Sequence, residues 1–290
     1  MARPIDIFAQ ICYNGATMKC DLHLHTTCSD GVCTPEKIVN IAKQRGLDAI
    51  AITDHDTVSG TSRAIAEGKK VGLRVLPGME ISTVSGSVEV HVLAYNLDSA
   101  APGFAEELAK ISGMRDERNV LLLRKLAENG MPISEDALKK REGSFGRADI
   151  AREMVRLGYC KTVSEAFDKY IGKGKECYVA TRRLTPSAAV EFVKRFGGVA
   201  VLAHPKNLKM TGHVFEKFLK GLVAVGLDGI EAEYFTHNNF ERNFFVKMAR
   251  KYGLIVTGGS DFHDEGHGIS IGKKFFVPDE SAKRKLNLND

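Results

Sequence analysis

Residues 20–25 read CDLHLH, and residues 48–53 read DAIAIT. In the first stretch apolar and polar residues alternate, which is typical of a β-strand with one face in a core and one face turned to a site. The second stretch is almost wholly apolar, which is typical of a strand that is buried on both faces. Between them, TPE at residues 34–36 is a typical helix start, and Gly46 ends that helix. The segment therefore predicts a strand–helix–strand unit with parallel strands.

The alternation of strands and helices continues on both sides of one long interruption. It runs from the start of the domain to about residue 97, and it resumes with a helix start at residues 185–186. Residues 98–185 between them are polar and helical, without a convincing strand. The pattern predicts an α/β fold, a parallel sheet or barrel that is interrupted by a helical insertion. The further strands are predicted at residues 73–76, 89–95, 199–203, 229–234 and 254–257.

The chain is therefore divided into a barrel, an insertion and two terminal segments. The barrel comprises residues 18–97 and 186–272, and the insertion comprises residues 98–185. Residues 1–17 are predicted to be an irregular N-terminal extension. Residues 273–290 are predicted to be a polar C-terminal tail that is partly frayed.

The composition argues against a membrane protein and restricts the ligand only weakly. The 290 residues are 43% hydrophobic, and no apolar run approaches the ~18 residues that a membrane span needs. The net charge of +5 suits an anionic small molecule or a short nucleic acid without requiring one. Six cysteines occur without a CxxC pair or a preceding export signal, so we expect reduced thiols in a cytoplasmic protein.

Six of the nine histidines fall at predicted strand ends, each beside or near a carboxylate. The carboxyl ends of parallel strands form the edge of an α/β fold where sites are built. His-x-His at residues 23–25 points both imidazoles to one side of a strand, and Asp261-x-His263 repeats this spacing. Imidazole with carboxylate suits Zn, Mn or Fe rather than an all-oxygen magnesium site. The candidate metal ligands are His23, His25, Asp30, His55, Glu80, His91, His204, Asp261 and His263.

For any one of these residues a structural role is the alternative. A single buried histidine is more often a hydrogen-bonded core group, and a single loop aspartate is more often a cap or turn residue. The number and placement of the residues together favour a metal site. We leave His213 and His267 outside it, and also Cys28 and Cys33, although these cysteines flank Asp30.

Five segments resemble the PHP family, named for polymerase and histidinol phosphatase domains, and together they span most of the chain. Two segments of the insertion, FGRADIAREMVRLGY and AFDKYIGKGKECYV, resemble the arginine-bearing helix and the lysine–glycine loop of small stand-alone members. Those members remove phosphate from 3′,5′-nucleotide bisphosphates or digest short RNA from its 5′ end. The five family segments are DLHLHTTCSDG (21–31), AITDHDTVSG (51–60), PGMEIS (77–82), VLAHP (201–205) and GGSDFH (258–263).

The resemblance implies a distorted (β/α)7 barrel with a helical lid and about three divalent metal ions, Mn, Zn or Fe, at its mouth. Asp54 and Asp56 are then expected to orient His55 and its loop. The implied ligand sets are His23, His25, Glu80 and Asp261 for one ion, Asp30, His55 and His263 for a second, and His91 and His204 with Glu80 bridging for a third.

The implied chemistry is hydrolysis of a phosphate ester. Paired ions bind phosphoryl oxygens and lower the pKa of bound water, so we expect a metal-bridging hydroxide to attack phosphorus in line. Asp261 is the candidate acceptor of the proton, and His237 is the candidate proton donor to the leaving oxygen. Arg147 and Lys175 are the candidates to bind a second, non-reacting phosphate. The expected partner is a small phosphorylated molecule or short RNA, without a membrane or an obligate protein partner.

Two other functions are open from the sequence. A phosphatase acting on histidinol phosphate would keep the metal site but would need an acidic group for the substrate amine, whereas the lysine–glycine loop is basic. A metal-binding proofreading or regulatory module without turnover would be expected in fusion with a polymerase, and 290 residues do not hold one.

Overall fold

Seven strands form one sheet, in which the order of the strands in space follows their order in the chain. The computed structural model describes residues 17–139, 145–180, 183–264, 270–273 and 275–289. The strands are β1 (Cys20–Leu24), β2 (Ala49–Ile52), β3 (Arg74–Ser85), β4 (Val88–Tyr95), β5 (Val199–Leu202), β6 (Gly229–Tyr234) and β7 (Ile255–Gly259).

The first and last strands meet, so the sheet is a nearly closed barrel. Leu24 forms a parallel bridge with Phe262, and the His25 amide donates to the Phe262 carbonyl at 3.0 Å. Gly259 lies against His23, where an added Cβ would stand 2.4 Å from the Cβ of the histidine. A residue without a side chain is needed for this approach. The predicted α/β barrel is confirmed.

Helices cover the outside of the barrel and fill the interval between β4 and β5. The first helix begins as predicted, because Thr34 caps it by accepting from the Lys37 amide and Pro35 occupies its first turn. No described helix is long and apolar enough to cross a membrane. The helices are α1 (Pro35–Gln44), α2 (Thr61–Val71), α3 (Phe104–Glu128), α4 (Glu135–Lys139), α5 (Arg147–Arg156), α6 (Val163–Ala166), α7 (Pro186–Arg195), α8 (Gly212–Ala224), α9 (Asn239–Lys251) and α10 (Glu280–Lys285), with a π-helical turn at Phe167–Ile171 and a 3-10 helix at Pro205–Leu208.

One strand departs from the parallel arrangement that the sequence predicts. β4 runs antiparallel to both of its neighbours, β3 and β5. β3 and β4 are joined by Gly86 and Ser87 alone, and two residues can form a hairpin but not the crossover that a parallel pair needs. The expectation of an all-parallel barrel is therefore wrong at this hairpin, and the sheet is mixed.

β3 is longer than predicted because it changes partner along its length. Its first residues pair in parallel with β2 as far as Pro77, and the remainder pairs with β4 from Gly78 onward. In the sequence a proline followed by glycine indicates the end of a strand. Here the proline lies where one ladder stops and the next begins, so the strand continues. Glu80 consequently lies within β3 rather than after it.

The C-terminal segment closes the end of the barrel opposite the candidate site. Phe276, Leu286 and Leu288 are buried and pack in one cluster with residues of the barrel interior such as Leu22 and Tyr95. The expectation of a frayed tail is wrong for these residues, because their apolar side chains fill the interior where β1 begins. The predicted N-terminal extension lies outside the described residues, apart from residue 17.

The insertion has an apolar core of its own. Leu122 and Leu126 of α3 pack with Ile150 and Met154 of α5 in a cluster separate from the barrel interior. Among the described residues of 98–185, none belongs to a strand of the sheet, and Leu184 forms only an isolated bridge. The division into a barrel and a lid stays a prediction, and this packing agrees with it.

Candidate metal centre

Nine predicted ligands converge at the mouth of the barrel. His23 lies in β1 and His25 directly after it, while Glu80 and His91 lie on the β3–β4 hairpin. The remaining five lie in the segments that follow β1, β2, β5 and β7, and all nine are buried or partly buried. The set is His23, His25, Asp30, His55, Glu80, His91, His204, Asp261 and His263.

Glu80 is the centre of this cluster, and 1% of its side chain is exposed. Burial alone would raise the pKa of this carboxyl, but charge on His91, His55 and His23 outweighs burial and holds the pKa well below its usual value. The Glu80 carboxylate is therefore an anion among imidazoles, a position that suits a ligand shared between two groups of metal ligands. One ring nitrogen of each of five histidines lies within 3.4 Å of a Glu80 oxygen: His23, His25, His55, His91 and His204.

Three overlapping groups of side chains are close enough to hold a metal ion, with ligand atoms within 4.8 Å of one another. The first is the set that the resemblance implies for one ion. The second group is the set implied for the second ion, with His25 added. The third group contains His55 in the place where the set implied for the third ion has His204. His204 still lies near, with Nε2 2.9 Å from a Glu80 oxygen. The groups are His23, His25, Glu80 and Asp261; His25, Asp30, His55 and His263; and His55, Glu80 and His91.

Several atoms of the cluster are buried without a hydrogen-bond partner among the described residues. They are Nε2 of His23, both ring nitrogens of His25, Nδ1 of His55 and of His204, and Oδ1 of Asp261. Each such atom is destabilising by roughly 1–3 kcal/mol, so protein interiors rarely gather several of them. Imidazole and carboxylate form the ligand set of Zn, Mn or Fe. The residues therefore fit a divalent metal centre.

Glu231, in β6, supports the cluster and was not selected from the sequence. It is fully buried, and Oε1 accepts from His23 Nδ1 at 2.9 Å while Oε2 accepts from the His204 amide at 2.7 Å. The first contact fixes the ring of His23 with Nε2 turned toward Glu80. A carboxylate in the otherwise apolar start of the strand GIEAEY was the signal that could have found it.

Glu231→Gln is expected to weaken metal binding about ten- to hundred-fold, because the amide lacks the charge that strengthens His23 as a ligand. Titration of the metal-depleted protein with Mn²⁺ measures the affinity. Glu233→Gln is the matched control, since Glu233 lies two residues along the same strand and pairs with Arg242. Equal affinities in the two variants would show that Glu231 does not support the metal ligands.

Three residues in or next to the cluster have a left-handed backbone although they are not glycine. The φ angles are 57° at Asp56, 25° at His204 and 52° at Asp261. Such conformations cost roughly 1–3 kcal/mol and persist where the surrounding structure holds a functional side chain in place. Each of the three follows a strand end, so this strain indicates a site at that edge of the barrel.

Asp54 and Asp56 hold the surrounding loops rather than the ring of His55. Asp54 accepts from both the amide and the hydroxyl of Thr26 at 2.7 Å, which holds the loop after β1. Asp56 accepts from Arg115 Nη1 at 2.9 Å. No hydrogen bond among the described residues joins either carboxylate to the imidazole. The contacts of both carboxylates agree with the expectation that they hold the loop of His55.

The α3 helix turns a polar face toward the barrel mouth. Ser112, Arg115, Arg118 and Asn119 recur at spacings of three or four residues, which places them on one side of a helix. Ser112 Oγ donates to the carbonyl of Asp56 at 2.7 Å. This face is not among the sites predicted from the sequence, although its helical spacing is visible there.

A cavity of about 110 Å³ separates the α3 face from the metal cluster, and we call it the arginine cavity. Four guanidinium groups border it, beside three candidate ligands. Such a concentration of positive charge next to a metal cluster favours an anionic ligand. The lining residues that matter here are Asp30, His55, His91, Arg115, Arg118, Arg147 and Arg183.

Of the two insertion residues predicted to bind a second phosphate, Arg147 reaches the arginine cavity and Lys175 does not. Arg147 Nη2 donates to both carboxylate oxygens of Glu89, at 2.6 and 2.7 Å. Lys175 is exposed, in a turn where its amide donates to the Gly172 carbonyl at 3.0 Å. That turn leaves the lysine at the surface, and its role in binding a phosphate stays a prediction.

The two candidate acid–base residues lie in different surroundings. Asp261 belongs to the cluster, and the hydroxyl of Tyr234 donates to its Oδ2 at 2.8 Å. His237 is 5% exposed, with Nδ1 2.9 Å from the Ala232 carbonyl and its ring 4.9 Å from that of Phe245. Burial lowers the pKa of His237. His237 is therefore a buried residue, and its role as proton donor stays a prediction.

A second cavity, of about 270 Å³, also opens beside the cluster. Asp30, Asp261 and His263 border it on the metal side. Phe235 and Val163 give it an apolar wall. It therefore offers room for a less polar part of a ligand next to the same metal ligands.

Fold and site together define the class of this protein. A barrel with buried imidazoles and carboxylates at its mouth, next to clustered arginines, is the arrangement of a metal-dependent hydrolase that acts on phosphate esters. The chain belongs to the PHP family of such phosphoesterases. The family model of the PHP domain matches residues 21–139.

Relatives match over nearly the whole chain. A 5′-3′ exoribonuclease of Haemophilus influenzae is 33% identical over 264 residues, which are 91% of this chain and 96% of the relative. A 3′,5′-nucleoside bisphosphate phosphatase of Chromobacterium violaceum is 32% identical over 251 residues, which are 86% of this chain and 88% of the relative. A Bifidobacterium adolescentis structure assigned to the metal-dependent phosphoesterases aligns with a TM-score of 0.84 at 30% identity, over 94% of this chain and 96% of that one.

Proposed function

We propose that this enzyme hydrolyses a phosphate ester of a nucleotide that carries a second phosphate group. The substrate class is a 3′,5′-bisphosphate nucleotide or a short 5′-phosphorylated RNA. The observation that carries this proposal is the arginine cavity, which shares His55 and His91 with the metal cluster. A molecule with one phosphate at the cluster can place another anionic group among the guanidinium groups. The names of the Haemophilus and Chromobacterium relatives point to the same substrates.

The nine cluster residues are proposed to hold about three divalent ions of Mn, Zn or Fe. Bound ions would neutralise phosphoryl oxygens and lower the pKa of a water molecule at the reacting phosphate. Glu80 belongs to two of the three ligand groups, and Glu231 orients His23. Asp261, whose Oδ2 accepts from the hydroxyl of Tyr234, is proposed to accept a proton during hydrolysis.

The insertion is proposed to act as a lid that selects the substrate. α3 contributes Arg115 and Arg118 to the arginine cavity, and α5 contributes Arg147. The second cavity, with Phe235 and Val163, suits the sugar or base of a nucleotide through apolar and stacking contacts.

The other two functions agree less well with the site. The ammonium group of histidinol phosphate would face the guanidinium groups of the arginine cavity, where like charges repel. A metal-binding module without turnover would have the same clustered ligand atoms, but it would not need the arginines that border the cavity beside them. The relatives that cover the chain almost fully are also named as enzymes.

The purified protein with Mn²⁺ is expected to hydrolyse adenosine 3′,5′-bisphosphate with a kcat/KM about ten- to a hundred-fold above that for p-nitrophenyl phosphate. One charge-assisted hydrogen bond to the second phosphate accounts for roughly that factor. Phosphate release is measured for these two esters, for both adenosine monophosphates, for histidinol phosphate and for a short 5′-phosphorylated RNA. A preference for histidinol phosphate, or equal values for all esters, would contradict the proposed substrate class.

A further inference from the structure

Three of the four arginines that border the arginine cavity already have a carboxylate partner. Arg118 differs, since it pairs with no carboxylate among the residues that the structure describes, and its Nε has no hydrogen-bond partner there. The three pairs are Arg115 with Asp56 at 2.9 Å, Arg147 with Glu89 at 2.6 Å and Arg183 with Glu89 at 2.7 Å.

Arg118 is nevertheless buried, with 3% of the residue exposed. Burial, and then the charges of Arg115, Arg147 and Arg183, lower the pKa of its guanidinium to about 8. A buried cation without a counter-ion is unfavourable, because it has lost its hydration without gaining a partner. Its position is explained if an anion from outside the chain binds beside it.

The neighbouring charges are arranged so that such an anion can bind next to the reacting phosphate. Glu89 and His91 are two residues apart on β4, so they lie on the same face of the strand. Glu89 holds Arg147 and Arg183 at the side of the arginine cavity, while His91 belongs to the metal cluster. The volume of about 110 Å³ equals several water molecules, which suits a phosphate group rather than a whole nucleotide.

We propose that Arg118 binds the non-reacting phosphate of the substrate and is the residue that selects substrates with two phosphate groups. This inference rests on the proposed function and names the specificity residue of the same site. Arg147 and Arg183 border the bound phosphate while Glu89 keeps them in place. The phosphate completes the arrangement by supplying the counter-ion that Arg118 lacks within the described part of the chain.

The test compares Arg118→Met with Arg124→Met, a control on the same helix whose side chain is exposed. Arg118→Met is expected to lower kcat/KM for adenosine 3′,5′-bisphosphate about ten- to a hundred-fold, mainly through KM, because the bound phosphate does not react. The loss for p-nitrophenyl phosphate should be at least about tenfold smaller. Arg118→Lys should recover part of the loss, since it keeps a positive charge without the planar fork of the guanidinium.

Thermal unfolding gives a second measurement that does not depend on turnover. Arg118→Met is expected to unfold at a temperature no lower than that of the wild type, because it removes a buried cation that lacks a partner in the described chain. A lower unfolding temperature together with equal losses on both substrates would overturn the inference, because Arg118 would then be a structural residue. If Arg118→Met does not fold, the loss of kcat/KM for the bisphosphate is compared with the loss for p-nitrophenyl phosphate in Arg118→Lys instead.

The outcomes separate this inference from the proposed function. If the wild type prefers the bisphosphate and Arg118→Met keeps the same preference as Arg124→Met, the role of Arg118 is wrong and the proposed function stands. If the wild type shows no preference between the two esters, the proposed function fails and this inference fails with it.

Discussion

Glu80→Gln is expected to lower kcat/KM at least about 10³-fold for every phosphate ester, bisphosphate or monoester alike. Glu80 has ring nitrogens of five histidines within 3.4 Å of its carboxylate oxygens. It also belongs to two of the three groups that could hold an ion. A glutamine has nearly the same size but carries no charge and donates hydrogen bonds where ligands are needed. Initial rates at saturating Mn²⁺, with two different esters, measure the effect.

Glu216→Gln is a suitable control for this variant, because Glu216 lies on α8 and pairs with Lys251 at the surface. It should retain the activity of the wild type. Circular dichroism should show that the Glu80 variant keeps the barrel, whose apolar interior lies away from this carboxylate. A folded Glu80→Gln protein with more than about a tenth of normal activity would remove Glu80 from the chemistry.

The metal cluster could be predicted from the sequence because each of its members occupies a locally recognisable place. His23 lies in β1 and His25 directly after it, in a stretch where histidine and apolar residues alternate, and Asp261 and His263 follow another strand. Parallel strands of one barrel end at the same edge, so residues that are distant in sequence meet without any further information. The structure brings all nine predicted residues to one place, at the mouth of the barrel.

Residues that support the cluster could not be found in this way, because their roles depend on contacts between distant elements. Glu231 holds His23 across 208 positions of sequence, and Tyr234 reaches Asp261 from the neighbouring strand. In the sequence Glu231 is simply one acidic residue of a strand. Its role becomes visible once β6 is known to face the interior of the barrel at that position.

Local patterns also placed the end of β3 too early, because that strand changes its partner along its length. Pro77 with Gly78 resembles a strand end but is the point at which β3 changes partner. Lys175 lies exposed in its loop, outside the arginine cavity, and its predicted contact with a phosphate stays a prediction. Arg118, by contrast, is one of many charges on a polar helix until its burial is known.

Metal removal is expected to abolish turnover of every phosphate ester. Purified protein should hold more than one divalent ion per chain, about three if each ligand group is filled. Dialysis against a chelator should lower this content and reduce activity to background, and Mn²⁺, Zn²⁺ or Fe²⁺ should restore it. Elemental analysis and rate measurements on the same samples test this. A protein that keeps full activity in chelator, with less than one ion per chain, would contradict a metal-dependent mechanism.

The ion content of two variants then tests how the ligand groups share their members. His91 belongs to one of the three groups, whereas Glu80 belongs to two. His91→Ala is therefore expected to lose about one ion, and Glu80→Gln to lose more than His91→Ala, when both are purified in the same Mn²⁺ buffer. His213→Ala is the control, because His213 lies at the start of α8, outside all three groups. Equal metal content in the Glu80 and His91 variants would show that Glu80 does not bridge two ions.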